Sequence, residues 1–337
     1  MFRSLFAALM AILALACGVD ARAQNAVLYG LIDAAASRSR PPGGTLRYQL
    51  DSGDMSRSFI GLRGNDDLGG GLKAVFRLES YLRVDTGQSG RTDGDAFWGR
   101  DANVGLQGAF GTTVLGRNVT PLYLSTVNFN PFGESFAFSP STRQYFAGAV
   151  VGDRSWNNSL SYSNSATSSP LRINVAANLP EDAAGAPGTG RNYGGSFSYI
   201  TGPFAATLAV ERIKNSALPL PAGFRRQLAI ELGATYDFKL IRLYGQLGRV
   251  KTDATTDTRT ILYQLGAAVP VGNGLVLVAH ASSQARTPLS RITDRMTSIG
   301  YDYFLSKATD IYIAGLYEKT FQLSSGSTIA GGVRLRF

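Results

Sequence analysis

The sequence predicts an all-β protein: a 16-stranded antiparallel transmembrane β-barrel with one loop folded inward. Three observations carry that expectation. Hydrophobicity alternates with period two almost throughout, whereas period 3.6 is weak. Short and long connections take turns along the chain, which places all the short turns at one end of an antiparallel meander. A single segment, residues 119–153, interrupts the rhythm for roughly 35 residues.

The chain opens on a segment set apart from the fold. Arg3 precedes the apolar run Leu5 to Ala16, and Ala21-Arg22-Ala23 is a small-residue cleavage site. Residues 1–23 therefore read as a secretory signal peptide, too short and wrongly flanked for a membrane anchor. A lipoprotein signal at Cys17 is the weaker alternative, because a strand follows the downstream site almost at once. Cleavage after Ala23 leaves residues 24–337 as one barrel domain without cysteine, to be stabilised by packing or sheet closure.

Composition narrows the function. Charged residues make up 17% of the chain, below the ~25% usual for globular proteins. The formal net charge is +9, and +8 once Arg3, Asp20 and Arg22 are removed. The basic excess is spread along the chain, which argues against a nucleic-acid patch. No later segment approaches the ~20 consecutive apolar residues of a membrane helix.

The strands follow in order. Before the long segment come Ala26–Ser37, Asp54–Gly64, Leu72–Asp85, Ala96–Ala109 and Thr112–Asn118. After it come Ser155–Asn164, Leu171–Leu179, Asn192–Ile200, Phe204–Lys214, Arg226–Phe238, Leu240–Thr252, Arg259–Val269, Leu275–Gln284, Arg295–Phe304, Asp310–Thr320 and Ser327–Phe337. The turns Asn65–Gly71, Gly108–Gly111, Ser165–Pro170, Thr201–Pro203, Phe238–Leu240, Pro270–Gly274 and Leu305–Thr309 are short. Between them lie longer connections such as Arg38–Gly53 and Pro180–Arg191.

In the third strand Leu72, Ala74, Phe76, Leu78 and Leu82 share one parity, and Lys73, Arg77, Glu79, Tyr81 and Arg83 share the other. The last strand alternates Ile329, Gly331, Val333, Leu335 and Phe337 with Gly332, Arg334 and Arg336. Periodicity alone fits a soluble sandwich with apolar residues inside as well as a lipid-embedded barrel with them outside. Strand length separates the two. Segments of ~10–13 residues match a tilted crossing, which needs about 9–11, whereas soluble sheets use strands of about 5–6. Closure removes the edges that hydrocarbon would not tolerate, and sixteen strands leave an aqueous channel.

The long segment, VTPLYLSTVNFNPFGESFAFSPSTRQYFAGAVVGD, carries Pro121, Pro131 and Pro140, many aromatics and few charges. That composition suits burial within the lumen better than a disordered linker. Folded inward, it would narrow the channel.

Several phrases together resemble the general-diffusion porins of Gram-negative outer membranes, in particular the beta-proteobacterial family. NAVLYGLIDAA resembles that family's first strand. SRSFIGLRGNDDLGGGLKAVFRLES resembles its second strand, first turn and third strand, and FWGRDANVGLQGAFGTTVLGRN resembles its fourth and fifth. PFGES falls where the family's constriction loop carries its acidic motif, and the sequence ends on Phe337 as family members do. The resemblance implies a homotrimer in the outer membrane, in contact with its lipid and lipopolysaccharide. It implies a passive channel for small hydrophilic solutes and ions, without cofactor or enzymatic activity. It also implies a field between loop acids and a basic wall.

Here the loop offers Glu134, with Asp153 at its far end. Candidate wall cations are Arg57, Arg63, Lys73, Arg77 and Arg83, with Arg38 at the rim of the first strand. Arg100 and Arg117 stand in the family-like WGR and LGR phrases, and their parity is ambiguous. With Val104 and Leu106 facing lipid, Arg100 would face lipid too unless a bulge intervenes. Both are assigned inward, since an Arg at mid-bilayer costs ~2–4 kcal/mol. Rows of cations favour anions, so small anionic or neutral solutes are the expected cargo. A solute-specific channel with a saturable site is the alternative. His280 is the only histidine, which leaves a Ser-His-Asp hydrolase without support, and it reads as a lumen or loop residue. Asn65 to Gly71 lacks the ligand spacing of a calcium loop.

Overall fold

The computed structural model describes residues 25–164, 169–179, 190–216 and 218–337. The expected signal segment 1–23, and most of the turn Ser165–Pro170 and of the loop Pro180–Arg191, lie outside the described residues. The strands are β1 (Val27–Arg40), β2 (Arg47–Ser52), β3 (Phe59–Gly69), β4 (Leu72–Arg83), β5 (Gln88–Ser89), β6 (Asp101–Gly108), β7 (Gly111–Val119), β8 (Ser155–Ser163) and β9 (Leu171–Asn178). They continue as β10 (Tyr193–Thr201), β11 (Phe204–Ile213), β12 (Arg226–Asp237), β13 (Arg242–Asp253), β14 (Thr258–Val271), β15 (Gly274–Arg286), β16 (Arg291–Phe304), β17 (Thr309–Thr320) and β18 (Gly326–Arg336).

These make sixteen staves. β2 and β3 are two halves of one stave, pairing with the upper and lower parts of β1. β5 is a two-residue pairing in the loop after β4. Each stave pairs antiparallel with its sequence neighbours, and β1 meets β18 to close the ring, Leu31 opposite Arg336 and Arg40 opposite Ser327. Gly30 and Phe337 exchange two backbone hydrogen bonds of 3.0 and 3.1 Å at that seam.

The two faces differ as a lipid-embedded barrel requires. Leu232, Leu247, Leu265, Ile299 and Ile313 are 53–69% exposed on the outside. Inside, Glu211, Glu231, Gln227, Gln264, Ser298 and Asp310 are buried. A sheet that displays leucine and hides glutamate is the inverse of a soluble one. Tyr236 with Phe238, and Tyr301 with Tyr303, form ring contacts near the short-turn end, where aromatic girdles belong.

Three elements differ from the sequence expectation. The second stave breaks over residues 53–58, where the backbone amides of Met55 and Ser56 donate to the Asp33 carboxylate (2.9 and 2.6 Å). A buried acceptor thus holds six residues out of the ladder. The fourth stave begins at Asp101 rather than Ala96, because the residues before it are tied into a loop by Arg91 and Asp95 (2.7 Å). The long segment is not irregular throughout. It contains α1 (Pro121–Asn128) and α2 (Pro140–Gln144), followed by a π-helical turn (Tyr145–Ala149). Thr120 and Ser139 cap the helices, accepting from Tyr123 N (3.2 Å) and Thr142 N (3.3 Å), and a proline occupies each first helical position. Proline is pre-set for that position and lacks only a donor that would go unused there.

Candidate functional site

The inward segment lies against the wall built by β11 to β17. Leu122 N donates to Glu211 (2.8 Å), Ser125 Oγ to Glu231 (3.1 Å), and Gln246 donates to Thr126 O (2.8 Å). Thr126 also donates to Glu231. Further along, Ser141 N reaches Gln264 (3.1 Å) and Arg143 pairs with Glu318 (2.9 Å). Phe132 and Phe138 pack with Leu277, Tyr312 and Leu316, while Leu122, Tyr145 and Val150 pack with Ile213, Val250 and Leu262. The wall's buried carboxylates and amides thus act as acceptors and donors for the loop backbone, which would otherwise be left unpaired.

Opposite this wall the loop meets an arginine cluster. Arg100 bridges Glu79 (2.8 Å) on the barrel and Glu134 (3.3 Å) on the loop. Arg57 lies 4.1 Å from the Phe136 ring centre, and Arg154 lies 5.0 Å from that of Tyr123. Buried Tyr81 is the hub, with the guanidinium groups of Arg57, Arg91, Arg100 and Arg154 5.2–5.9 Å from its ring centre. An aromatic face offers a partial counter-charge to cations that crowd together. Asp153, at the loop's end, takes Arg91 (2.7 Å) and Arg117. Burial pushes its carboxyl up, but these two guanidinium groups hold it down at about 2. Burial likewise opposes ionisation of Glu134, and Arg100 with Arg154 outweighs it, holding the carboxyl below its ordinary value.

Of the residues expected at the site, Arg57, Arg100 and Glu134 come together. Arg63 and Arg77 stand opposite each other on β3 and β4. They line a polar cavity of about 350 Å³ with Asn103 and Gln107. Arg77 is tied to Asp101 (3.6 Å) and Glu79 (4.0 Å). Lys73 shares their face, paired in register with Asp67 and Gln107 toward the short-turn end. Arg83 is drawn into the following loop by Asp93 (2.6 Å).

Two expected residues point elsewhere. Arg38 is exposed on the outward face with Ile329 and Tyr48, its Nε 3.3 Å from the tyrosine hydroxyl. A position at the rim leaves parity open, and the register settles it. Arg117 shares the outward parity of Leu115, beside a shift in the β7–β8 register. It donates to Gly99 O (2.8 Å) and Asn157 (2.6 Å) and pairs with Asp153, so its charge is met there rather than opposite Glu134. Arg100 does face inward. Its expected lipid parity never applies, because it precedes the strand. His280 is also outward, with its Nδ1 2.8 Å from Thr297 Oγ1 and exposed Val278 on the same parity of β15. Arg91 and Arg154 join the cluster without any signal in the sequence, since neither sits in a strand or a motif. Among the described residues no cluster of three or more His, Cys, Asp or Glu is placed to hold a metal.

A closed barrel with an apolar exterior, a polar interior and an inward-folded loop has the architecture of an outer-membrane channel. Comparison with known proteins makes this specific: residues 7–320 match the family model for Gram-negative porins, and the chain belongs to that family. It is 32% identical over 341 residues to outer membrane porin protein 32 of Delftia acidovorans, covering 97% of this chain and 94% of that one. It is 28% identical over 348 residues to an outer membrane porin protein of Bordetella pertussis, covering 86% and 85%. The solved anion-selective porin from Comamonas acidovorans superposes with a TM-score of 0.80 at 27% identity, covering 93% of this chain and all of that one.

Proposed function

We propose that this porin is a passive, water-filled channel for small hydrophilic solutes and ions, and that it prefers anions. The observation that carries the preference is an imbalance of pairing. The acids Glu79, Asp101, Glu134 and Asp153 each sit in an ion pair with an arginine. Among the described residues Arg57, Arg63 and Lys73 have no carboxylate within 4.0 Å. Uncompensated lumen cations attract anions and repel cations. Likeness to the anion-selective porin from Comamonas acidovorans supports the same reading. Narrowing by residues 119–153 sets the size limit, and Arg57 and Arg100 at Glu134, with Arg63, Lys73 and Arg77 further toward the short-turn end, supply the electrostatic filter. Arg83, Arg38 and Arg117 are left out of that filter. Residues 1–23 are removed on export, and three barrels assemble as a homotrimer, each with its own pore.

Reversal potentials across a KCl gradient test the preference. Chloride permeability should exceed potassium permeability, and Arg57→Gln with Arg63→Gln should reduce the ratio by roughly threefold or more, a loss of two fixed charges in a confined lumen. A cation-preferring wild type would overturn the reading. Current steps in multiples of three from refolded protein test the assembly.

A further inference from the structure

The surface loop at residues 84–100, between β4 and β6, is fastened to the constriction by one side chain. Arg91 donates through Nε and Nη2 to the two carboxylate oxygens of Asp95 (2.7 and 2.9 Å), and its backbone amide adds a third bond to the same group (2.7 Å). Its Nη1 and Nη2 also reach both oxygens of Asp153 (2.7 and 3.1 Å), 62 residues further along the chain. The side chains of Arg91, Asp95 and Asp153 are 18%, 13% and 8% exposed. A guanidinium carries five donors in a rigid plane, and here that plane spans two carboxylates at once. The loop is tied at both of its ends as well. Gly90 N donates to Tyr81 O (2.8 Å), and Arg117 Nε donates to Gly99 O (2.8 Å).

Asp153 is where the tie bears on the pore. Its Oδ1 accepts from Arg154 N (2.8 Å), and Arg154 O accepts from Thr120 N (2.9 Å). Thr120 caps α1, so the two ends of the constriction segment meet at Arg154, and Asp153 is the adjoining link. Arg154 is buried between the rings of Tyr81 and Tyr123, 5.2 and 5.0 Å from their centres. Among the described residues it has no carboxylate within 4.0 Å, and its Nη2 reaches Arg100 O at 3.4 Å. Its place is therefore set by its backbone and by the end of the surface loop. Arg100, which bridges Glu79 and Glu134, is the last residue of that same loop.

We infer that Arg91 is a positioning residue for ion selectivity. By clamping Asp95 and Asp153 it holds the surface loop down, and the loop in turn fixes Arg154 and Arg100 at the narrow point. Arg91 lies between two carboxylates, so its own charge is offset and it acts on passing ions through geometry. Released, the cations it places would spread over a wider passage and their field at its centre would weaken. The inference rests on the electrostatic filter proposed above.

Two variants break the clamp and conserve net charge. Arg91→Lys keeps the cation but loses the planar fork. Arg91→Gln with Asp95→Asn removes one charge of each sign from the loop. Reversal potentials of the folded full-length protein across a KCl gradient should show the chloride-to-potassium permeability ratio moved at least roughly twofold toward unity in both, because a confined fixed charge acts through its position. A count of charges predicts no change in either, and a purely structural tie would lower the unfolding temperature without moving the ratio. A wild-type ratio in either folded variant therefore overturns the inference. In folded wild type, trypsin should leave the Arg91–Thr92 bond intact, and rapid cleavage there would overturn the inference whether or not the variants fold. A cation-preferring wild type refutes the anion preference instead, since the shift is read relative to wild type whichever ion it favours.

Discussion

Tyr81 shows how a single side chain organises charge. Four guanidinium groups surround its ring; Arg91 pairs with Asp95 and Asp153 and Arg100 with Glu79 and Glu134, whereas Arg57 and Arg154 have no carboxylate within 4.0 Å among the described residues. Their balance depends on pH. Glu134 is held below its ordinary value of 4.5, and Asp153 below 3.8 at about 2. A carboxyl depressed by folding contributes stability that is fully present above its ordinary value and is lost as pH falls through its folded value. Protonation of Glu134 removes negative charge from the loop, so anion preference should rise as pH falls below the ordinary glutamate value. Reversal potentials between pH 7 and pH 3 should drift toward the chloride limit without a jump in conductance. Selectivity that stays flat over that range would mean that Glu134 does not face the ion path. Of this cluster, Glu134 is legible from the PFGES phrase, whereas Arg57 reaches the lumen from the break in the second stave and not from the strand parity assigned to it. Arg154 is not legible, because parity carries no information beyond a strand's end.

At the scale of the element, the loop is held by capped helices and by wall carboxylates. Thr120→Ala removes the α1 cap and should cost about 1 kcal/mol. Glu231→Ala removes a carboxylate acceptor shared by Ser125 and Thr126 and should cost more, since two buried hydroxyls each lose a charge-assisted hydrogen bond. Both variants should show noisier single-channel current than wild type, with Glu231→Ala the larger effect. Identical noise in all three would show that the loop does not depend on this anchor. The helices have a local signature, as Thr120-Pro121 and Ser139-Pro140 are each a cap followed by a first-turn proline. Periodicity hides them, because the segment has no amphipathic stripe. It is apolar toward the wall and aromatic toward the arginines, so the 3.6-residue signal is lost. The wall partners are not readable, since Glu211 and Glu231 look like any alternating polar positions until the register places them under α1.

For the whole molecule, one buried ion-pair network ties the last three staves to the break in the second. Arg334 is buried and contacts Asp302 (2.6 Å), Asp310 (2.9 Å) and Ser56 (2.8 Å). Arg336 adds a second cation to Asp310 (2.7 Å). Replacing Arg334 with Met leaves buried carboxylates short of a partner and should cost about 3–5 kcal/mol, seen as a lower unfolding temperature of the barrel in detergent. A loss under about 1 kcal/mol would assign the network a role other than stability. The architecture itself is the most legible level. Strand number, the order of short and long connections, and the apolar exterior all follow from alternation that recurs over the chain. Two strand starts escape that alternation because Asp33 and Arg91 reorganise nearby backbone from a distance in sequence.

The seam that joins Leu31 to Arg336 also sets a timetable. Its partners stand some three hundred residues apart, so a growing sheet must carry two raw borders until the last rung is laid. Such far-flung pairing is slow to find, and hydrocarbon punishes every unfinished border. A nascent barrel of this kind calls for an escort that shields both borders, and the rate of release from that escort, not of strand formation, should limit how fast channels appear.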